Sequence, residues 1–280
     1  IKHYSARTKQ LRLLGKLDVY HETEIEDVDA EEGLMGIQAS PDFAETGYVF
    51  MYYSPAYTSV NRLSRFTFRG DSLDFATEKI VLEVYSDRYI CCHTGGSIAF
   101  SGDGKYLFLS TGDNSTPFDE SGQRFVNEGY APLDERPGHE PYDARRSSGN
   151  TNDLRGKILR IAIQPDGSYT IPAGNLFPEG TAQTRPEIYV MGNRNPYRIS
   201  VDAKNSNLYW GEVGPDARID NADTRGPRGY DQVNLAKAAV FFGWPLFVGN
   251  NYAYHQYNYR NGVAGPAYDP QAPINDSRNN

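Results

Sequence analysis

Gly96-Ser-Ile-Ala-Phe-Ser-Gly-Asp103 runs into Tyr106-Leu-Phe-Leu-Ser110, and this stretch decides the fold. An apolar run, an Asp-centred turn and a second run rich in aromatic and large aliphatic residues spell a β-hairpin. The pattern recurs on both sides. Gly33-Leu-Met-Gly-Ile-Gln-Ala-Ser-Pro-Asp42 leads to Tyr48-Val-Phe-Met-Tyr-Tyr-Ser54, and Asn195-Pro-Tyr-Arg-Ile-Ser-Val-Asp202 leads to Leu208-Tyr-Trp-Gly211. A second unit also repeats. Arg62-Leu-Ser-Arg-Phe-Thr-Phe-Arg-Gly-Asp71 and Lys157-Ile-Leu-Arg-Ile-Ala-Ile-Gln-Pro-Asp166 alternate apolar and polar residues and then turn, as expected of an outer strand with one face buried. A hairpin followed by an outer strand, repeated along the chain, is the signature of propeller blades. The three hairpins predict at least three blades and parts of a fourth. The one helical hint is Asp231-Gln-Val-Asn-Leu-Ala-Lys-Ala-Ala239, enough for one or two turns.

Composition agrees with an all-β chain. Tyr (21) and Phe (13) outnumber Met (3), while 27 Gly and 17 Pro punctuate the sequence, which suits many short strands rather than helices. The formal net charge is −8. No Lys/Arg cluster offers the basic footprint that binding to phosphates needs, so nucleic acid is not an expected partner. No apolar stretch approaches the ~20 residues that span a bilayer. The 280 residues are read as a single β-propeller domain. The chain opens at Ile1 and closes in the polar run Ile274-Asn-Asp-Ser-Arg-Asn-Asn280, so it is expected to be a fragment of a longer protein. Residues 114–152 are rich in Pro, Gly, Ser, Asp and Arg and lack periodicity. A loop this long is either functional or disordered, and on a propeller it is expected to lie over the active face.

Five histidines occur, and His93 alone stands just before a Gly-Gly that opens a strongly predicted strand, in Cys91-Cys92-His93-Thr94-Gly95-Gly96. Imidazole is a suitable base near neutral pH, and the glycines permit close approach of a ligand or another backbone. The alternative is a histidine that satisfies a loop hydrogen bond. Asp113 ends the next strand, in Ser110-Thr-Gly-Asp113, where hairpin geometry brings a carboxylate near His93 to fix its tautomer; a turn-capping Asp is the other reading. Met191-Gly-Asn-Arg-Asn-Pro196 offers Arg194, a planar donor fork, and also reads as an ordinary turn. Glu212-Val-Gly-Pro-Asp216 supplies main-chain carbonyls of the kind that hold Ca²⁺, although the acids nearby (Asp216, Asp220, Asp223, Asp231) lack EF-hand spacing. Cys91 and Cys92 are adjacent. They form either a strained vicinal disulfide, whose ring would offer a flat face to a planar cofactor, or two buried thiols.

In order, Glu32-Gly-Leu-Met-Gly-Ile-Gln-Ala-Ser-Pro-Asp-Phe43, His93-Thr-Gly-Gly-Ser-Ile-Ala-Phe100, Ser110-Thr-Gly-Asp113, Gly156-Lys-Ile-Leu-Arg160, Glu187-Ile-Tyr-Val-Met-Gly-Asn-Arg-Asn-Pro196, Glu212-Val-Gly-Pro215 and Phe242-Gly-Trp-Pro245 resemble the soluble quinoprotein glucose, aldose and sorbosone dehydrogenases. The likeness is greatest to propeller modules of long secreted bacterial proteins. It implies a six-bladed β-propeller of four-stranded antiparallel blades, here lacking part of the first blade and roughly the last two. It implies pyrroloquinoline quinone (PQQ) and Ca²⁺ as cofactors, a sugar as substrate, an external electron acceptor such as a cytochrome, and a periplasmic or extracellular home. By the same resemblance His93 is the general base on the sugar hydroxyl and Asp113 orients it. Arg194 and Asn195 meet the quinone oxygens, and the Gly214 and Pro215 carbonyls hold the metal. Glu31, Cys91 and Cys92 lie beside the cofactor. Two departures stand out, since Cys92 replaces an Asp of well-studied members and Glu31 replaces a common Gln. The rival expectation is a non-catalytic propeller that binds carbohydrate or a protein partner, since the hedgehog-interacting proteins share this kind of propeller and are not enzymes of this sort.

Overall fold

Runs of aromatic and branched residues fold as antiparallel strands, closed by turns at Gly, Asp and Asn. The computed structural model describes residues 1–22, 30–88, 90–116, 132–220 and 226–280. β1 (Lys2–Ser5) and β2 (Gln10–Leu13) make a hairpin. β3 (Leu34–Ala39), β4 (Tyr48–Tyr53), β5 (Val60–Arg69) and β6 (Ser72–Tyr85) pair in chain order as one antiparallel sheet, with a single helical turn, α1 (Phe43–Thr46), between β3 and β4. β7 (Gly95–Phe100), β8 (Leu107–Thr111) and β9 (Lys157–Ile163) begin a second sheet; β10 (Tyr169–Thr170) hangs on β9, and β11 (Ile188–Met191) is its fourth strand. β12 (Pro196–Val201), β13 (Leu208–Glu212) and β14 (Gln232–Ala236) form the third. β15 (Val240–Phe241) then returns to pair in parallel with β11 of the sheet before. Two small hairpins follow, β16 (Phe247–Val248) with β17 (Tyr252–Ala253), and β18 (His255–Asn258) with β19 (Val263–Ala267).

The three sheets stack face to face, and the middle one explains why its strands read as nearly unbroken apolar runs. Side chains alternate across a strand. Leu107, Leu109, Leu159 and Ile161 face the first sheet and meet Phe50, Tyr52, Leu63 and Leu82. Phe108, Ile158 and Tyr189 face the third and meet Leu208, Trp210 and Ala236. Both faces of the middle sheet are therefore buried, each large side chain contributing about 1.5–3 kcal/mol. The first strands lie side by side. A Cβ on Gly36 of β3 would stand 2.1 Å from the Gly96 carbonyl of β7, and Ile199 N–H of β12 donates to Ser97 Oγ of β7 at 3.1 Å. Sheets stacked radially about their first strands are propeller blades, as the repeated hairpins predict.

Two expectations fail here. The stretch 231–239 is not helical: Gln232–Ala236 is strand β14, paired along its whole length with β13. Its burial alternates with period two, and strand pairing overrides the helix propensity of Ala and Lys. The runs beginning at Arg62 and Lys157 are not outermost strands. β5 and β9 are third in their sheets, covered by β6 and β11. Of the loop 114–152, residues 117–131 lie outside the described residues; the rest includes two short 3₁₀ turns, Glu140–Tyr142 and Ala144–Arg146. No helix among the described residues is long and apolar enough to cross a membrane.

Candidate active site

The N-terminal ends of the three first strands converge. Glu31 precedes β3, His93 precedes β7, and Arg194 and Asn195 precede β12. Asn195 ties them together: its Oδ1 accepts from Gly95 N–H at 3.0 Å, and its Nδ2 donates to Glu31 Oε2 at 3.3 Å. Thr94 N–H donates to the same Glu31 oxygen at 3.1 Å. The glycines at the start of β7 make the approach feasible. Gly96 has φ of 104°, and a Cβ there would stand 2.4 Å from Met35 Cβ.

His93 sits at this junction, and Asp113 follows the end of the paired strand β8. His93 Nδ1 and Asp113 Oδ1 are 2.8 Å apart, with His93 3% and Asp113 0% exposed. Oδ1 also accepts from Ser115 N–H at 2.9 Å, and Oδ2 accepts from Trp244 Nε1–H at 2.7 Å. Burial alone pushes the Asp113 carboxyl up. The His93 ring and the Arg194 guanidinium outweigh it and hold the group below its ordinary 3.8. An ionised Asp113 accepts a proton from His93 Nδ1, a proton position inferred from the hydrogen-bond partners. Nε2 has no protein partner among the described residues. Hairpin pairing brings the His93 imidazole and the Asp113 carboxylate side by side, the neighbourhood that the sequence predicts.

Arg194 is 2% exposed, and its main-chain carbonyl accepts from Asp113 N–H at 2.8 Å. Its Nη2 donates to Asp216 at 3.0 Å and its Nη1 to the Val213 carbonyl at 3.3 Å, while Nε has no partner. The turn that carries it is braced by Glu212, whose Oε1 accepts from the N–H groups of Arg194 and Asn195 at 2.6 and 2.8 Å, and whose Oε2 accepts from Trp210 Nε1–H. Burial pushes Glu212 up to about 7 against the pull of these donors. Behind Arg194 lies a small cavity, lined among others by Asn193, Gly214, Pro215 and Trp244. Both polar ends of the buried Asn193 side chain lack a partner there. Among the described residues no donor engages the Gly214 or Pro215 carbonyls, and no cluster of three or more His, Cys, Asp or Glu could hold a metal. A cation in this place would rest on main-chain and amide oxygens, a donor set that suits Ca²⁺. A broad open cleft elsewhere, lined by Arg136, His139, Tyr257 and Tyr259, includes none of His93, Asp113 and Arg194.

Cys91 and Cys92 are joined as a disulfide and are buried beside His93. Hydrogen bonds thus bring Glu31, His93, Asp113, Arg194 and Asn195 together at one end of the first strands, and Gly214 and Pro215 line the cavity beside Arg194, while Asp223 lies outside the described residues. Three residues of the site went unassigned. Trp244 reaches Asp113 across 131 residues; its only signal was the Phe242-Gly-Trp-Pro245 motif, which names no contact. Glu212 was visible only as the start of a turn. Lys157, at the start of β9, is fully buried and donates to the carbonyls of Ser147, Ser148 and Arg155 at 2.8, 3.1 and 2.7 Å, although burial pushes it down to about 7.

Residues 5–277 match the family described as glucose/sorbosone dehydrogenase. Over 231 residues the chain is 27% identical to the aldose sugar dehydrogenase YliI of Escherichia coli, covering 79% of this chain and 48% of that protein. It is 25% identical over 249 residues to quinoprotein glucose dehydrogenase B of Acinetobacter calcoaceticus, covering 84% and 45%. The PQQ-bound aldose sugar dehydrogenase of Streptomyces coelicolor superposes with a TM-score of 0.60 at 24% identity, covering 95% of this chain and 60% of that one. The chain spans less than half the length of the curated relatives it matches.

Proposed function

The chain belongs to the glucose/sorbosone dehydrogenase family, and from that membership we propose that it forms the catalytic part of a PQQ- and Ca²⁺-dependent enzyme oxidising a hydroxyl of an aldose or related sugar. One observation carries the reading: a buried imidazole–carboxylate pair, 2.8 Å apart, whose second ring nitrogen has no protein partner among the described residues and whose carboxylate feels the buried Arg194 guanidinium. Neutral His93 takes the proton of the sugar hydroxyl on Nε2, and Asp113 stabilises the imidazolium that forms. PQQ, when bound, takes up the two electrons and the hydrogen that the sugar carbon loses. Arg194 would hold it through the unpartnered Nε, and Asn195, Glu31 and the Cys91–Cys92 ring would lie along its edge and face. The Gly214 and Pro215 carbonyls, with Asn193 Oδ1, would hold Ca²⁺. The Glu31 carboxylate opposes an anionic cofactor unless a cation lies between them. Electrons would pass on to an external acceptor such as a cytochrome. The described residues 114–116 and 132–152 would border the face, and the vicinal disulfide suits the oxidising periplasm or cell exterior.

Reconstitution tests this reading. Full-length apoprotein loaded with PQQ and Ca²⁺ should reduce a redox dye when given aldoses, and should fail to do so without either cofactor. Sugar binding by calorimetry with neither PQQ uptake nor dye reduction would replace the enzyme with a non-catalytic carbohydrate-binding propeller.

A further inference from the structure

Asp113 has two carboxylate oxygens with separate duties. Oδ1 is shared by His93 Nδ1 and Ser115 N–H, both within the same blade. Oδ2 has one donor among the described residues, the indole N–H of Trp244, at 2.7 Å. A carboxylate held at one oxygen only turns about its Cβ–Cγ bond, and the second hydrogen bond stops that rotation. It also keeps a fully buried oxygen from lying unpaired, which is costly in a low-dielectric interior.

Trp244 is placed to act as such a stop. Its main-chain N–H donates to the Gly192 carbonyl at 3.1 Å, and its carbonyl accepts from Ser148 Oγ at 3.2 Å. Its ring meets Tyr254 edge to face, with centroids 5.9 Å apart. The turn is therefore anchored to the segment that carries Arg194 and to the end of the 114–152 stretch, and the indole is only 4% exposed. From these contacts we infer that Trp244 is a positioning residue for sugar oxidation, acting through Asp113 to hold the His93 ring in its proton-accepting orientation. The inference rests on the assignment of His93 as the base.

Trp244→Phe keeps an aromatic ring against Tyr254 and removes the N–H. In the full-length, PQQ-loaded protein kcat should fall about 10- to 100-fold, within the range for general-base contributions, with KM changed less than about threefold, since ground-state sugar binding is untouched. PQQ affinity should match that of the unmutated protein. A direct readout comes from histidine-selective ¹⁵N labelling of the apoprotein: the His93 Nδ1–H proton resonance should shift upfield or broaden in Trp244→Phe. Unchanged kcat together with an unmoved Nδ1–H signal would overturn the inference. The NMR arm reads the contact even if no sugar is oxidised, so failure of the enzyme reading and failure of this one are told apart. Should Trp244→Phe not fold, the contact is read from the other side. With ¹⁵N-labelled indole in otherwise native protein, the Trp244 Nε1–H resonance should move upfield on Asp113→Asn. A resonance that stays in place would equally sink the proposal.

Discussion

At the residue scale the site depends on a carboxylate kept ionised where burial favours the neutral form. Asp113 is held below 3.8 because His93 and Arg194 outweigh its desolvation. The sign of the consequence follows. A carboxyl depressed by folding contributes stability above its unfolded value, and that contribution is lost as pH falls through the folded value. Asp113→Asn should therefore lower the melting temperature at neutral pH, and the gap to the unmutated protein should close as pH is taken below about 4. Differential scanning calorimetry across pH 3 to 8 checks this; a constant gap would mean that Asp113 is not held ionised. His93 was legible because its setting is local, a lone histidine before Gly-Gly at a strand start. Asp113 was legible because a hairpin returns its second strand to the first. Trp244 was not, because no local pattern tells an indole at the end of one turn that its partner lies 131 residues away. Glu212 was hidden for a related reason: an acid in a Gly-Pro turn looks like a surface cap, and only the fold turns it inward to brace Arg194 and Asn195.

At the scale of elements, the hairpins were readable because an Asp-centred turn between two aromatic runs admits few other structures. The short segment that forms β14 reads as helix because Ala-Lys-Ala-Ala favours helix locally, while pairing to β13 and burial of Ala236 against Trp210 favour strand. The third strands β5 and β9 read as outer strands because alternation shows that one face is buried but not how many neighbours a strand has. The contact between first strands makes a sharper prediction. Gly36→Ala would drive a Cβ to 2.1 Å from the Gly96 carbonyl, backbone against backbone. It should cost about 1–3 kcal/mol, as overpacking does, and should weaken PQQ uptake by parting β3 from β7 three residues beyond His93. Gly211→Ala, in β13 with nothing within 4 Å of the added carbon, is the control and should shift stability by less than about 0.5 kcal/mol. Thermal melts of the two variants decide it, and equal losses would remove the tight β3–β7 seam as the cause.

For the whole molecule, function follows from stacking. Blades pack through both faces of the middle sheet, which forces the first strands together and brings Glu31, His93 and Arg194 from three separate blades to one end. Blade order was legible from repetition, but this convergence was legible only through the family resemblance, because sequence spacing says nothing about which strand ends share a rim. The most direct test of the account is single-turnover reduction of bound PQQ by an aldose in the full-length protein, with His93→Ala compared at matched cofactor occupancy. PQQ affinity should be unchanged and the reduction rate lower by about 10²–10⁴. Reduction at the unmutated rate in the loaded His93→Ala protein would contradict it.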